Sequence, residues 1–163
     1  MGKIVEVKKA VSEISKIKSG KKTVVLTGGC FDILHIGHIK LLRESKKQGD
    51  LLFVLLENDK TVKKLKGSER PINNQKERAE VLSSLSFVDY VVLLPEMKSN
   101  SDYDELVFSL KPDIITTTTG DLQGKHNERQ AKEINAKVVY VVPFIKNRST
   151  TRLAKIISEN FKK

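Results

Sequence analysis

Two histidines stand three residues apart behind a pair of glycines, in a stretch that reads "TGGCFDILHIGH" over residues 27–38. Imidazole donates hydrogen bonds to phosphate oxygens and can gain a proton as negative charge builds up on them. Gly28 and Gly29 carry no Cβ, so a ligand can approach the backbone closely there. The spacing of His35 and His38 behind these glycines therefore predicts a site for the phosphates of a nucleotide.

Other interpretations of this stretch are weaker. As metal ligands, His35 and His38 lack a third partner at suitable spacing, because the remaining histidine is the distant His126; no protein metal site is predicted. The dinucleotide pattern G-x-G-x-x-G does not fit here, and the P-loop pattern G-x-x-x-x-G-K-[ST] does not occur in the chain. A purely structural role at a helix start would not require two histidines with Gly37 between them.

A second cluster, "KKLKGSERP", covers residues 63–71 and is rich in basic side chains. A loop that carries Lys64, Lys66 and Arg70 could close on phosphates and exclude water. The register is open between Lys63 and Lys64, and a solvated basic loop is the alternative.

A third cluster, "RSTTRL", places Ser149, Thr150 and Thr151 at the predicted start of the last helix. Hydroxyl groups beside the free amides of a helix N-terminus form an anion site. The alternative is an ordinary N-cap, and Ser149 can serve both purposes.

Alternating strands and helices with short connections position these clusters. Strands are predicted at residues 23–27, 51–56, 88–94, 113–119 and 137–142, and helices at 5–18, 36–47, 74–85, 103–110, 128–135 and 149–161. The strands are apolar on both faces, which is typical of central parallel strands covered by helices. We predict one α/β domain over residues 1–163, a Rossmann-like doubly wound sheet of about five parallel strands, with residues 1–20 as a helix that leads into it. Residues 57–73 and 95–102 are the expected mobile segments.

Composition limits the possible partners. The 163 residues carry a formal charge of +10 and a single cysteine, so no intrachain disulfide can form and a cytoplasmic location is expected. No apolar run approaches the roughly 20 residues of a membrane span, so no membrane partner is expected. Excess positive charge suits phosphate-rich ligands. Nucleic-acid binding is the non-enzyme alternative, but aromatic residues make up only 6% of the chain and do not alternate with basic ones.

The histidine stretch resembles the signature of the cytidylyltransferase-like nucleotidyltransferase superfamily, G-x-F-D-x-x-H-x-G-H. The matching residues are Gly29, Phe31, Asp32, His35, Gly37 and His38. Within that superfamily the chain is most similar to the adenylyltransferase domain of bacterial ADP-heptose synthase, over roughly residues 3–160. The segments "LKGSERPINNQKERAEVLSSLSFVDYVV", "KPDII" and "STTRLAKII" follow that domain's order and spacing.

The resemblance implies a nucleotidyltransferase fold of the HxGH type and a transfer reaction. A phosphate of an acceptor attacks the α-phosphate of a nucleoside triphosphate, with Mg²⁺ on the triphosphate, and pyrophosphate leaves. It implies that His35, His38 and Lys66 act in catalysis, and that Lys64 contacts substrate. Arg78 matches a family arginine that binds phosphate or holds its helix to the sheet, and Asp32 fixes the turn. Implied nucleotide contacts are Gly28, Gly29, Cys30, Phe31, Gly37, Gly120, Asp121, Ser149, Thr150 and Thr151.

Two segments depart from the heptose family. "TTTTGD" stands where that family has a V-K-G-G-D-Y-like segment, and "ENDK" stands where it has N-S-D. Glu57 therefore lies at the expected acceptor end, next to Arg70 and Arg78 as further substrate-binding candidates. The identities of the acceptor and of the nucleotide's base therefore stay open. The candidate pairs are ATP with a sugar 1-phosphate such as heptose 1-phosphate, CTP with glycerol 3-phosphate or a similar alcohol phosphate, and ATP with FMN. A non-catalytic nucleotide-binding regulator is a further alternative, and a homodimer through residues 74–85 is expected from the resemblance alone.

Overall fold

The structure is a computed structural model that describes residues 1–121 and 123–143. Strands lie at β1 Lys3–Glu6, β2 Val24–Gly29, β3 Leu51–Leu56, β4 Tyr90–Leu93, β5 Ile114–Thr119 and β6 Lys137–Pro143. Helices lie at α1 Val7–Ser19, α2 Ile36–Lys46, α3 Asp59–Lys66, α4 Gln75–Ser83, α5 Asn100–Leu110 and α6 Gly124–Glu133. Within the described ranges the strands form one sheet in the order β1-β4-β3-β2-β5-β6, and every neighbouring pair is parallel.

Helices cover both faces of this sheet. On one face, the core cluster contains helix residues Ala10, Ile14, Leu106, Val107, Leu110 and Ala131, which come from α1, α5 and α6. On the other, it contains Leu42, Ala79 and Leu82, which come from α2 and α4. Strand β2 contributes side chains to the core on both faces of the sheet. Val24 and Leu26 belong to the first cluster, and Val25 belongs to the second. Successive side chains of a strand point to opposite faces, so the apolar run in β2 requires this double cover. The predicted doubly wound fold is confirmed.

The strand order reverses direction at β2. From β2 the chain builds outward through β3 and β4, and then returns to add β5 on the other side of β2. In open parallel sheets of this kind, ligands bind outside the carboxyl ends of the strands at the point of reversal. The turn between β2 and α2 leaves the sheet at that point, which is where the histidine stretch lies.

The N-terminal segment differs from the prediction. Residues 3–6 form an edge strand rather than the first turn of a helix, and Lys3 pairs with Tyr90 of β4. The amides of Gly2 and Lys3 donate to the carbonyls of Ser83 and Asp89, at 2.7 and 2.8 Å. A four-residue edge strand is too short to show alternation, and Ile4 fits the helical spacing of the residues after it. The sheet therefore has six strands in the described residues, where we predicted about five.

One helix was not predicted, and two helices begin earlier than predicted; of these, α6 begins at Gly124, four residues before the predicted residue 128. Residues 59–66 form α3, inside a segment that we predicted to be a loop. The side chain of Asn58 caps this helix by accepting a hydrogen bond from the amide of Lys60 at 2.8 Å. Helix α5 begins at Asn100, three residues before the predicted start, because Ser99 and Asp102 form a capping box.

Some predictions lie outside the described residues or are not tested by them. The closing helix at 149–161 is among the former, and the single-domain organisation stays a prediction. Among the helices that the structure describes, none combines the length and the apolar composition needed to traverse a bilayer.

Candidate active site

The turn after β2 is held in shape by the ring of Phe31. Phe31 has φ +45°, a left-handed backbone conformation that is uncommon for a bulky residue, and its side chain is buried. The ring lies against Gly29, where an added Cβ would meet ring atom Cε2 at 3.1 Å. A ligand's approach is therefore not the only reason for glycine at position 29, because the ring of Phe31 already occupies the space of a side chain.

The two histidines lie side by side at the start of α2. The rings of His35 and His38 stack with their centroids 3.7 Å apart and their planes at 25°. The edge of His38 also meets the ring of Phe31, with the centroids 5.1 Å apart. His35 is the N-cap residue, and its Nδ1 accepts a hydrogen bond from the amide of Gly37 at 3.1 Å. A neutral His35 with Nδ1 as acceptor carries its proton on Nε2, which is then free to donate to a ligand.

Both imidazoles are neutral at physiological pH in this arrangement. Burial lowers the pKa of His38 to about 3, the adjacent His35 acts in the same direction, and a backbone hydrogen bond with Ile33 opposes them. Burial also lowers the pKa of His35. A bound anion favours the charged form of a histidine, so phosphate binding would raise both pKa values. His35 can therefore donate a hydrogen bond from Nε2. The N–H of His38 is engaged by the backbone of Ile33, and its buried Nδ1, which has no partner among the described residues, can accept a proton as charge develops.

The carboxylate of Asp32 fixes the turn to the segment before α4. It accepts hydrogen bonds from Nε of Arg70 at 2.5 Å, from the amide of Ile72 at 2.8 Å and from the amide of Asn73 at 3.0 Å. Burial raises the pKa of Asp32, but the hydrogen bonds from Asn73, Ile72 and Arg70 outweigh it and leave the pKa lowered. Asp32 thus has the positioning role that the resemblance implied. The side chain of Arg70 is 9% exposed, and its Nε makes this contact.

Arg78 is buried and joins three segments. Its Nε donates to the carbonyl of Asn73 at 3.0 Å, Nη1 to the carbonyl of Cys30 at 2.5 Å, and Nη2 to the carbonyl of Glu57 at 2.8 Å. Nη2 also contacts Asp59 Oδ1 at 2.7 Å, and the side chain is 0% exposed. Of the two roles that the resemblance left open for Arg78, the structure shows the positioning one.

The lysines of the second cluster lie on α3 and face different ways. Nζ of Lys64 lies 2.8 Å from Glu96, which also pairs with Lys60 at 3.3 Å. Lys66 stands at the last position of α3, before Gly67 ends the helix with φ +104°. Its charge lowers the pKa of the Cys30 thiol, against the larger effect of burial, which raises it. Lys66 therefore lies near the turn after β2, whereas Lys64 is directed to Glu96.

Glu57 lies beside this turn and is linked to a residue that the sequence analysis missed. The amide of Glu57 donates to the carbonyl of Gly29 at 3.2 Å, and its carboxylate Oε1 accepts a hydrogen bond from the hydroxyl of Tyr103 at 3.0 Å. Tyr103 shares the apolar face of α5 with Leu106 and Leu110. That spacing of three and seven residues is the signal that could have placed Tyr103 over the sheet.

The end of β5 supplies the other side of the crevice. Gly120 has φ +82°, and a Cβ added there would meet no atom within 4 Å. Asp121 accepts a hydrogen bond from the hydroxyl of Thr117 at 2.6 Å and another from the amide of Gln123 at 3.0 Å, so it shapes the turn into α6. Ser149, Thr150 and Thr151 lie outside the described residues and stay predictions.

Comparison with known proteins gives consistent matches. A family model described as cytidylyltransferase-like matches residues 26–156. The bifunctional protein HldE of Campylobacter concisus is 44% identical over 153 residues, which are 93% of this chain and 31% of that protein. The FAD synthase of Thermococcus sibiricus is 42% identical over 142 residues, which are 85% of this chain and 93% of that protein.

One solved structure is similar in both sequence and fold. The lipopolysaccharide core biosynthesis protein of Thermoplasma volcanium has a TM-score of 0.62 and 32% identity, over 76% of this chain and 99% of that one. The chain spans 31% of the length of the HldE protein and 93% of the length of the FAD synthase.

Proposed function

The chain belongs to the cytidylyltransferase-like family of nucleotidyltransferases, and from that premise we propose that it transfers an adenylyl group from ATP to a phosphorylated small acceptor and releases pyrophosphate. The observation that carries this proposal is the stacked pair of His35 and His38, whose centroids lie 3.7 Å apart at the carboxyl end of the central strand. A donor on His35 and a proton acceptor on His38, at the point where the strand order reverses, are suited to the phosphates of a nucleotide.

The reaction needs charge stabilisation more than it needs a base. An oxygen of the acceptor phosphate is already an anion at neutral pH, so it can attack the α-phosphorus without losing a proton. A new P–O bond forms, the bond to the bridging oxygen of the β-phosphate breaks, and pyrophosphate carries away the electron pair. Preorganised donors and cations around the developing charge lower the barrier to such a step. In this proposal His35, His38 and Lys66 are those groups.

We propose that two of the predicted substrate contacts have a positioning role. Arg70 and Arg78 position the site, since Arg70 is held by Asp32 and Arg78 by three carbonyls and Asp59. Glu57 and Lys64 stay assigned to the acceptor. The nucleotide contacts are the turn residues Gly28, Gly29, Cys30, Phe31 and Gly37, the β5 end with Gly120 and Asp121, and Ser149, Thr150 and Thr151.

Mg²⁺ is proposed to accompany the triphosphate. The ion would neutralise charge on the phosphates, and in nucleotide sites it keeps several waters and takes few protein ligands. In residues 1–121 and 123–143 no three histidine, cysteine or carboxylate side chains are grouped as a metal site. The carboxylate of Asp32 is already committed to Arg70, Ile72 and Asn73. Phosphate oxygens and waters are therefore the ligands that suit the residues present.

The acceptor is proposed to be a sugar 1-phosphate, such as heptose 1-phosphate. The support is the resemblance to the adenylyltransferase domain of ADP-heptose synthase and the 44% identity to HldE. A second candidate is FMN, favoured by the 42% identity to a FAD synthase of which this chain covers 93%. We further expect a cytoplasmic enzyme, and a homodimer through α4, whose Val81 is 48% exposed. Light scattering checks the dimer.

A pyrophosphate-release assay tests the proposed function. The protein is incubated with Mg²⁺, each of the four nucleoside triphosphates in turn, and heptose 1-phosphate, FMN or glycerol 3-phosphate as acceptor. Release with ATP and the sugar phosphate supports the first candidate, and release with ATP and FMN supports the second. A preference for CTP with glycerol 3-phosphate overturns the adenylyl assignment. No release with any pairing rejects nucleotidyl transfer to these acceptors and favours the nucleic-acid-binding alternative.

A further inference from the structure

Glu57 is a buried carboxylate at the edge of the phosphate-binding turn. It follows β3 directly, and its amide donates to the carbonyl of Gly29 at 3.2 Å, so its backbone runs beside the turn after β2. The residue is only 9% exposed. Burial raises the pKa of Glu57, whereas the hydrogen bond from Tyr103 and the charge of Arg78 lower it less strongly. A carboxylate at this place is costly unless something satisfies it.

Only half of this carboxylate is satisfied by the described part of the chain. Oε1 accepts the hydrogen bond from Tyr103 at 3.0 Å. Oε2 is buried and has no hydrogen-bond partner among residues 1–121 and 123–143. In the same segment, the buried Oγ1 of Thr61 also has no partner within those ranges. Buried polar atoms in proteins are nearly always paired, so an orphaned one beside a binding turn calls for a partner.

Arg78, the basic residue whose charge acts on Glu57, does not pair with its carboxylate. Arg78 gives its Nη2 to the carbonyl of Glu57 and to Asp59, at 2.8 and 2.7 Å, and not to the carboxylate. Lys66 and the thiol of Cys30 influence each other electrostatically, and Glu57 raises the pKa of that thiol. Two further charged groups act on this cluster: Arg70 lowers the pKa of the Cys30 thiol, and Asp102 raises the pKa of Tyr103.

We propose that Glu57 and Tyr103 together select the acceptor: Tyr103 holds the carboxylate in place, and Oε2 receives a hydrogen bond from a hydroxyl group of the acceptor. This inference rests on the proposed function and adds a specificity device to it. The acceptor places its phosphate near His35 and His38 and an uncharged hydroxyl at Glu57. A second anionic group at that end is disfavoured, because it would meet a buried carboxylate whose Oε2 receives no hydrogen bond from the described residues.

The test uses acceptors that differ in one group. Glucose 1-phosphate and glucuronic acid 1-phosphate differ by a hydroxymethyl against a carboxylate, and so do glycerol 3-phosphate and 3-phosphoglycerate. Each is measured by pyrophosphate release with ATP, and by calorimetry in the presence of a non-hydrolysable ATP analogue. We expect the wild type to prefer the hydroxymethyl member of each pair by about 10- to 100-fold, the range that a hydrogen bond to a charged group contributes.

Glu57→Gln keeps the size of the side chain and removes its charge. We expect it to reduce the preference to about threefold or less, through the KM of the acceptor, with the affinity for the ATP analogue unchanged. Tyr103→Phe should weaken the preference in the same direction. Glu13→Gln and Tyr90→Phe are matched controls, because Tyr90 donates to Glu13 in a similar pair at 3.3 Å, at the amino end of β4. These controls should leave the preference unchanged.

The outcomes separate this inference from the proposed function. Turnover with wild-type preference retained in Glu57→Gln overturns the inference and leaves the function standing. No turnover with the four esters, with heptose 1-phosphate or with FMN, together with binding of the hydroxylated esters that Glu57→Gln weakens, supports the inference and overturns the function. No binding and no turnover with all four esters overturns the inference.

Discussion

The side chains of Asp32 and Arg70 meet at 2.5 Å, although 38 residues separate them in the chain. Asp32 lies in the turn that carries the histidines, and Arg70 lies in the segment that links α3 to α4. With the amides of Ile72 and Asn73 on the same carboxylate, the contact fixes the basic segment relative to the turn. Catalysis by positioned charges depends on such fixed distances.

Asp32→Asn tests this contact. Removing one partner of a buried ion pair leaves the other uncompensated, so we expect the free energy of unfolding to fall by about 3 kcal/mol at pH 7. Because the folded-state pKa of Asp32 is lowered, its contribution is present above the ordinary pKa of aspartate and is lost as the pH falls through the folded value. Urea denaturation at pH 7 and at acid pH should therefore show a difference that shrinks at acid pH. Glu44→Gln, which breaks an exposed pair with Lys47, is the control.

His35 has two roles, and two substitutions separate them. His35→Asn keeps an acceptor at the N-cap of α2, so we expect little change in stability but a loss of about 100- to 1,000-fold in kcat. His35→Ala removes both functions and should also lower the free energy of unfolding by about 1 kcal/mol. Steady-state kinetics and thermal unfolding of both variants check this. Full activity in His35→Asn would show that capping is the only role of His35.

The protonation of His38 should respond to the nucleotide. Burial lowers its pKa to about 3, so it is neutral at pH 7 in the free protein. The stability that this neutral form contributes is present above the ordinary pKa of histidine and decreases as the pH falls towards about 3. Triphosphate beside the ring should raise the pKa. NMR titration of the ring with and without an ATP analogue measures the shift, and an unchanged pKa would argue against contact with phosphate.

Arg78→Lys should unfold the site although it keeps the charge. Lysine cannot reproduce the planar fork that reaches Asn73, Cys30 and Glu57 together, and the lost contacts are buried. We expect the free energy of unfolding to fall by about 3–5 kcal/mol. Arg129→Lys is the matched control, because Arg129 pairs with Asp104 at a half-exposed position and should change stability by less than about 1 kcal/mol. Equal losses of unfolding free energy in Arg78→Lys and Arg129→Lys would contradict the positioning role of Arg78.

The lysines of α3 should differ in effect. Lys66→Ala should reduce kcat by about 100-fold, since Lys66 lies near the turn. Lys64→Ala should act on the KM of the acceptor, and Glu96→Gln should lower that KM a few-fold by releasing Lys64 from an exposed ion pair. Kinetics of the three variants under the same conditions decide between them. A larger loss of kcat in Lys64→Ala than in Lys66→Ala would reverse the assignment.

The sequence carried the local signals and missed the long-range ones. Strand β3 occupies the predicted residues 51–56, and the histidine pair lies where its motif indicated, because apolar runs and glycine turns act over a few residues. The hydrogen bond of Tyr103 to Glu57 spans 46 residues, and that of Arg78 to Cys30 spans 48. Such contacts depend on which helices and strands pack together in the fold. The spacing of apolar residues within one helix or strand does not predict that. The edge strand β1 was missed because its partner β4 lies more than 80 residues away, as in Lys3 with Tyr90.

The ring of Phe31 over Gly29 has a consequence for how this turn can change over generations. An alanine at position 29 would push against the ring at 3.1 Å, and the ring in turn touches His38. A change at either residue alone would shift the ring of His38, which we propose lies beside the phosphates of the nucleotide. Glycine at position 29 and phenylalanine at position 31 are therefore expected to be exchanged together or retained together.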